Sequence, residues 1–271
     1  MVSMALSMSK LDMCEAAIAN LEAALSMYTR SKNHLKNRAQ NLDIWFRIMN
    51  ATNQVGNVYF QQNKVDEAGA KYREALQMSK KFALEEISED SCLSLHVSEI
   101  INNIACVKAE QKQYEDSISL FNQALELQIA SLGEVDPAVS ITLNNIGTMN
   151  FRARKYEVAL KAYKQVLKMR RCIFNADHYS ICDVLIDIAL CYKKKRDYDR
   201  GTRALKEALR IARKTYGDKH KKVHEIYEAL GTIAEKSGNV ERSEYYFGVA
   251  NSIDDKMLVG NRSFEAFTLS F

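Results

Sequence analysis

Histidine is the side chain of this sequence best suited to acid–base or metal chemistry near neutral pH, and its placement favours neither. The five histidines are His34, His96, His178, His220 and His224. His178 and His220 occupy matching connector positions, which indicates a structural role. His220 and His224 have the i, i+4 spacing of helical zinc ligands, yet no HExxH glutamate or third ligand accompanies them. The motifs GxxxxGKS/T, GxGxxG and GxSxG are absent. We therefore expect no enzyme, no metal site and no cofactor.

The cysteines are the other candidate nucleophiles, and they could also form disulfides: Cys14, Cys92, Cys106, Cys172, Cys182 and Cys191. None forms a C-x-x-C pair, and several lie at helical spacing among apolar residues. Disulfide frameworks are typical of small secreted domains, whereas this chain has 271 residues. No signal peptide is recognisable, and no stretch approaches the ~18 apolar residues of a membrane span. We expect reduced, buried thiols in a soluble cytoplasmic protein that does not bind membranes.

Amide and basic side chains that recur on one predicted helix face are stronger candidates for function. An amide carries donors and an acceptor together, so it can bind the N–H and C=O groups of an extended peptide. Residues three and four apart share a helix face, and this spacing predicts an exposed stripe. The candidate peptide-binding residues on the stripe are Asn53, Asn57, Asn102, Asn103, Asn144, Asn145, Thr148, Arg152, Asp187, Lys193 and Lys194. The alternative is that asparagine merely tolerates a solvated helix face.

Charge is distributed unevenly along the chain. The net charge is +4, but residues 152–222 hold 21 Lys and Arg against 8 Asp and Glu. The basic runs 193–196 and 219–222 could each be a solvated surface, yet the regional excess is larger than either run. Because Arg152, Lys193 and Lys194 also lie on the predicted stripe, we expect an acidic peptide partner, with opposite charge aiding steering and specificity.

The elements that must position these residues are predicted to be helices in a repeat. The chain has one proline and ten glycines, and 47% of its residues are hydrophobic, which favours an all-helical fold. Aligned on itself so that Ala105 falls on Gly147, the sequence shows recurring small, aromatic, small and large positions. The first small column consists of Ala105, Gly147, Ala189 and Gly231, and the aromatic column consists of Tyr114, Tyr156, Tyr198 and, as an exception, Val240. The second small column consists of Ser117, Ala159, Gly201 and Ser243, and the large column consists of Phe121, Tyr163, Leu205 and Phe247. Small residues at these intervals allow two antiparallel helix axes to approach closely.

The pattern predicts an all-α, right-handed superhelical solenoid of about six antiparallel helix hairpins. Gly56 and Tyr72 repeat the same internal spacing, but Gly56 precedes Ala105 by more than one full period, which predicts longer helices in the first two units. We expect one solenoid over residues 1–258, followed by an apolar tail over 259–271. The predicted units are approximately 1–40, 41–88, 95–136, 137–178, 179–220 and 221–258.

Over residues 2–258 the sequence resembles the tetratricopeptide repeat family. The resemblance is carried by LNNIGTMNFRARKYEVALKAYKQVLKMRRCIF and LIDIALCYKKKRDYDRGTRALKEALRIARKTYG. The 42-residue period and the connectors at 133–137, 175–178 and 217–220 are similar to the kinesin light chain subgroup. The resemblance implies a peptide-binding asparagine ladder, which Asn103 and Asn145 match. Asp187 and Ala229 depart from it, and Gln54 only approximates it.

The resulting functional hypothesis is a scaffold or adaptor that binds an extended, acidic peptide segment of a partner protein in a concave groove. One alternative is a regulatory protein that responds to a ligand or peptide. Another is a structural subunit that uses its convex face or its tail, and the tail could also form a homodimer. A chaperone-tail clamp is not favoured, because Asn53 and Asn57 have no lysine beside them. Nucleic acid is not favoured either, because the basic region lacks an interleaved aromatic platform.

Overall fold

The computed structural model describes residues 12–32, 38–85 and 91–253, and these residues form helices and turns without a strand. The helices are α1 (Asp12–Lys32), α2 (Arg38–Gln61), α3 (Val65–Glu85), α4 (Ser91–Glu110), α5 (Tyr114–Leu132), α6 (Pro137–Arg152), α7 (Tyr156–Ile173), α8 (Tyr179–Lys194), α9 (Tyr198–Tyr216), α10 (Lys221–Lys236) and α11 (Val240–Ser252). The prediction of an all-α repeat fold is confirmed. No helix among the described residues is long and apolar enough to cross a membrane.

The chain divides into two compact units, Met1–Ser131 and Leu132–Phe271. In the first unit, α1 packs on α2, α2 pairs with α3, and α4 is followed by α5. In the second unit, the hairpins are α6–α7, α8–α9 and α10–α11. Helix α2 has 24 residues where α6 and α8 have 16, which agrees with the prediction of longer early helices. Residues 1–11 of the predicted first unit and the tail at 259–271 lie outside the described residues, and a single solenoid over 1–258 stays a prediction.

The two helices of a hairpin approach closely where glycine faces an aromatic ring. A Cβ atom added to Gly147 would lie 2.8 Å from Cε1 of Tyr163, and one added to Gly231 would lie 2.7 Å from Cε1 of Phe247. In the first unit a Cβ on Gly56 would lie 2.5 Å from Tyr72. Heavy atoms do not pack at these distances, so the ring occupies the space that any other side chain would need. The small column of the sequence therefore marks the contact between paired helices.

Each hairpin turn contains one residue with left-handed backbone geometry. These residues are Asn63, Lys112, Arg154, Arg196 and Gly238, with φ between 60° and 79°. After Arg154, for example, the N–H of Lys155 donates to the Asn150 carbonyl at 2.8 Å, which closes the end of α6. Glycine is the usual residue at such positions because a Cβ costs about 1–2 kcal/mol there. Only the last of these five turns has glycine at this position, so the turns could not be located from the glycines of the sequence alone.

The connectors between hairpins end in a side chain that caps the next helix. Asp136 accepts a hydrogen bond from the Ala138 N–H at 2.7 Å. At the matching positions of the next two repeats, Nδ1 of His178 and Nδ1 of His220 accept from the backbone of the helices that follow. The His178 ring stacks on Phe174 with 4.1 Å between centroids. The two histidines have the structural role that the sequence predicts.

The free cysteines agree with the predicted burial at three positions and depart from it at one. Cys106, Cys182 and Cys191 are buried, and Cys172 is exposed on α7. Burial raises the pKa of Cys182 and of Cys191 to about 12, which disfavours the reactive thiolate. The expectation of buried thiols is therefore wrong for Cys172, because its helix position faces solvent. The side chains of Cys14 and Cys92 lie outside the described ones.

Candidate functional site

In the first unit, three predicted asparagines bond to one another. The Nδ2 group of Asn103 donates to Oδ1 of Asn53 at 2.9 Å and to Oδ1 of Asn57 at 3.1 Å. The Tyr72 hydroxyl also donates to Asn57, and Asn53 donates to Glu99 at 3.1 Å. Both Nδ2 protons of Asn103 can thus be used within the protein. This cluster joins α2, α3 and α4, and a peptide would have to compete with it. Asn102 precedes Asn103 on α4 and is half-buried.

In the second unit, Asn144 and Asn145 occupy the repeat positions of Asn102 and Asn103. Asn144 and Asn145 are 8% and 3% exposed, and their amide oxygens have no hydrogen-bond partner among the described residues. Nearby on α6, the Thr148 hydroxyl lies 3.1 Å from the Tyr163 hydroxyl and also donates to the Asn144 carbonyl. A buried amide oxygen without a donor costs about 1–3 kcal/mol. These two oxygens are therefore acceptors that no described group uses.

The expectation of a solvent-exposed stripe is wrong for Asn53, Asn103, Asn144, Asn145 and Thr148, all of which are buried. Helical spacing identified a shared face correctly, but it did not show how deeply the neighbouring helices cover that face. The alternative of a merely solvated face fails for the same reason. Whether these side chains contact a peptide stays a prediction.

Asp187 takes the place of asparagine on α8. Burial raises the pKa of its carboxyl to about 8, and the negative charge of Asp183 adds to this effect, while Arg170 and Lys222 oppose it. Lys222 forms its ion pair with Asp183 and not with Asp187, since its amine lies 3.0 Å from the Asp183 carboxylate. The buried guanidinium of Arg170 donates to the Ser180 carbonyl at 2.6 Å. At neutral pH, Asp187 is therefore mainly protonated and offers a donor and an acceptor, as an amide does.

Basic side chains collect at the C-terminal ends of α8 and α10. Burial lowers the pKa of Lys193, and the charges of Lys194 and Lys236 lower it further. None of these three lysines forms an ion pair among the described residues, whereas Lys195 binds Glu157. Arg152, at the end of α6, occupies the position that Lys194 holds one repeat later and Lys236 two repeats later.

Lys236 is a candidate that the sequence prediction missed. Its place in the same column of the repeat as Arg152 and Lys194 is the signal that could have identified it. No group of three or more His, Cys, Asp or Glu in the described ranges could hold a metal ion. His224 instead lies 3.7 Å from Glu228 on its own helix.

Comparison with known proteins identifies the repeat. Residues 96–171 and 182–220 match family models described as tetratricopeptide repeat. No curated protein sequence matches the chain significantly.

Solved structures share the fold at low sequence identity. BtubC (BKLC) from P. vanneervenii is 17% identical, with 94% of this chain and 96% of that chain covered and a TM-score of 0.74. The putative kinesin light chain of Podosopora anserina, with nearly identical TPR-like repeats, is 13% identical, with 78% and 97% covered and a TM-score of 0.65. The apo form of RapI is 19% identical, with 91% and 76% covered and a TM-score of 0.60. With these two matches and this fold, residues 96–171 and 182–220 of the chain are tetratricopeptide repeats.

Proposed function

We propose that this protein binds an extended, acidic segment of a partner protein along the first helices of its hairpins. Tetratricopeptide repeats are generally non-catalytic scaffolds for protein–protein interaction, and that broader role follows from the family matches. The acidic peptide and its place on α6, α8 and α10 are the further step. A cytoplasmic location belongs to the same proposal and is supported by the free thiols.

The lysine cluster at the ends of α8 and α10 is the single observation that carries this proposal. Three like charges influence one another at Lys193, where burial weakens screening by water. An acidic side chain placed among them would relieve this repulsion without breaking an existing ion pair. Binding would then remove the electrostatic repulsion between the lysines that is present in the free protein, and this would favour the complex.

The asparagines support a backbone-directed contact beside the charge-directed one. The amide oxygens of Asn144 and Asn145 lack donors, and main-chain N–H groups of an extended peptide could supply them. Main-chain contacts give affinity for many sequences, and the lysines would select acidic ones. The regulatory alternative and the convex-face or tail-mediated assembly stay predictions.

The test begins with a selection of peptides from a random display library on the wild-type protein. The account predicts that the selected peptides are enriched in Asp and Glu. One such peptide is then titrated by fluorescence anisotropy against wild type, Lys193→Glu/Lys194→Glu and Asn145→Ala. The lysine variant should bind at least about tenfold more weakly, and the loss should shrink as salt rises.

The control variant Lys80→Glu/Lys219→Glu makes the same charge change at two exposed positions. It should bind nearly as well as wild type. If both double variants lose affinity equally, only the net charge matters and the site is misplaced. If neither loses affinity, the proposal fails.

A further inference from the structure

Two second helices of the second unit carry matching rows of basic side chains. On α7 these residues are Lys161, Lys164, Lys168 and Arg171, and on α9 they are Arg203, Lys206, Arg210 and Arg213. Each residue on α9 follows its counterpart on α7 by one period of the repeat. All eight side chains are exposed. We call this set the cationic face.

The cationic face is continuous across the two helices. Spacings of three and four residues keep each row on one side of its helix. Arg171 on α7 donates to Glu207 on α9 at 2.6 Å, so the two rows are neighbours. From Lys161 to Arg171 the row extends about 15 Å along α7 at 1.5 Å per residue. Four charges on each of two adjacent helices repel one another unless a counter-charge lies between them.

Among the described residues, only three of these eight side chains form ion pairs. Glu157 acts electrostatically on Lys161 and Lys164, but its ion pair is with Lys195. Arg171 pairs with Glu207, Arg210 with Asp177 at 2.7 Å, and Arg213 with Asp218. The other five residues form no ion pair among the described residues. They are Lys161, Lys164, Lys168, Arg203 and Lys206. Four of these five, all but Lys168, lie in the N-terminal halves of α7 and α9.

The fold itself does not require this charge. At the same positions of the repeat, α5 carries Ser119, Asn122, Glu126 and Ile129, and α11 carries Tyr245, Gly248 and Ser252. Those helices pack in their hairpins through the same small and large columns. The basic residues are thus added to a surface that the repeat leaves free to vary.

We propose that the cationic face is a second docking surface, which binds an acidic segment of a protein partner. It lies on the second helices of the hairpins, whereas the proposed peptide site lies on the first helices. Tyr216, the exposed ring that follows the α9 row, is stacked on His220, and Tyr192, whose ring lies under Lys164, is buried. Neither offers a free ring on which bases could stack. Val158 is its single exposed bulky apolar neighbour on α7, too little for insertion into lipid. An acidic protein segment needs neither feature and matches the charge.

Cys172 provides a local reporter for this proposal. It is exposed and follows Arg171 directly on α7, whereas Cys106, Cys182 and Cys191 are buried. The probe is a short oligo-glutamate peptide, and the readout is the rate at which iodoacetamide alkylates Cys172, followed by mass spectrometry of the digested protein. Wild type should show slower alkylation as the peptide concentration rises.

The variant Lys161→Glu/Lys168→Glu/Arg203→Glu should need at least tenfold more peptide for the same protection. The matched variant Lys80→Glu/Lys219→Glu/Arg242→Glu changes the net charge equally at exposed positions, and it should behave as wild type. Lys193→Glu/Lys194→Glu should also keep the protection, which separates this surface from the first-helix site. If the triple glutamate variant loses its helical circular dichroism, Lys161→Gln/Lys168→Gln/Arg203→Gln takes its place.

Three results would overturn the proposal. Wild type could show no protection, or the cationic-face variant could be protected as well as wild type. Alternatively, oligodeoxythymidylate or phosphatidylserine vesicles could protect Cys172 at a lower concentration of negative charges than the peptide requires. That last result would assign the surface to nucleic acid or to lipid.

Discussion

Asp187 is one of two residues at which the asparagine column changes, the other being Ala229 one repeat later. Asn145 holds the same column one repeat earlier, and Asn103 holds it two repeats earlier. Burial keeps the carboxyl of Asp187 protonated near neutral pH, with a pKa of about 8. A protonated carboxyl and an amide have the same shape and the same kinds of hydrogen bond. From Asn103 to Asp187 the column therefore keeps side chains that both donate and accept hydrogen bonds below this pKa, and Asp187 gains a negative charge above it.

The raised pKa predicts how folding stability depends on pH. Between the ordinary value of 3.8 and about 8, the folded protein holds a proton that the unfolded chain has released. Stability from this group is thus complete at low pH and is lost as pH rises toward 8, by at most about 1.4 kcal/mol per pH unit. Asp187→Asn should flatten this decline, as measured by urea unfolding at several pH values between 5 and 8.

Asp116→Asn is a suitable control, because Asp116 is exposed on α5. It should leave the pH dependence of wild type unchanged. Equal slopes for wild type and Asp187→Asn would show that the carboxyl is ionised in the folded protein.

At the scale of the helices, three of the five hairpins place a glycine against an aromatic ring. Gly147 lies against Tyr163, which is fully buried, and Gly231 repeats the arrangement with Phe247. The methyl group of alanine has no room there unless the ring or a helix shifts. Gly248 on α11 differs, since an added Cβ would have no atom within 4 Å.

The two glycines should respond to alanine in opposite directions. Gly147→Ala should lower the free energy of unfolding by about 1–2 kcal/mol, because overpacking outweighs the better helix propensity of alanine. Gly248→Ala should raise it by up to about 1 kcal/mol through propensity alone. Urea unfolding of both variants measures this difference. A stabilised Gly147→Ala protein would show that the helices separate at little cost.

The helices could be predicted from the sequence because their packing repeats. Small and large residues at fixed offsets predicted both members of each hairpin, and the extra residues before Ala105 predicted the long α2. Burial of the asparagines could not be predicted in the same way. Asn103 bonds to Asn53 on a distant part of the chain, and such pairing depends on how α2 and α4 rotate against each other. Lys236 was missed because it stands outside the basic runs, whereas the run at 193–196 marks α8.

At the scale of the whole molecule, charge is what distinguishes the repeats from one another. The net charge of the chain is only +4, yet Lys and Arg strongly outnumber Asp and Glu between residues 152 and 222. In the second unit this excess is divided between the ends of the first helices and the cationic face on α7 and α9. The first helices combine lysines with amide oxygens that no described group uses, and the proposal gives the lysines a charge-directed contact and the amides a main-chain contact. That combination is the basis for assigning the peptide to them.

Hydrogen–deuterium exchange with and without a selected acidic peptide tests this assignment most directly. The account predicts slower exchange in α6, α8 and α10, strongest near the C-terminal ends that hold Arg152, Lys194 and Lys236. The Lys193→Glu/Lys194→Glu variant should lose this protection. Protection confined to α7 and α9, or to the first unit, would contradict the central claim.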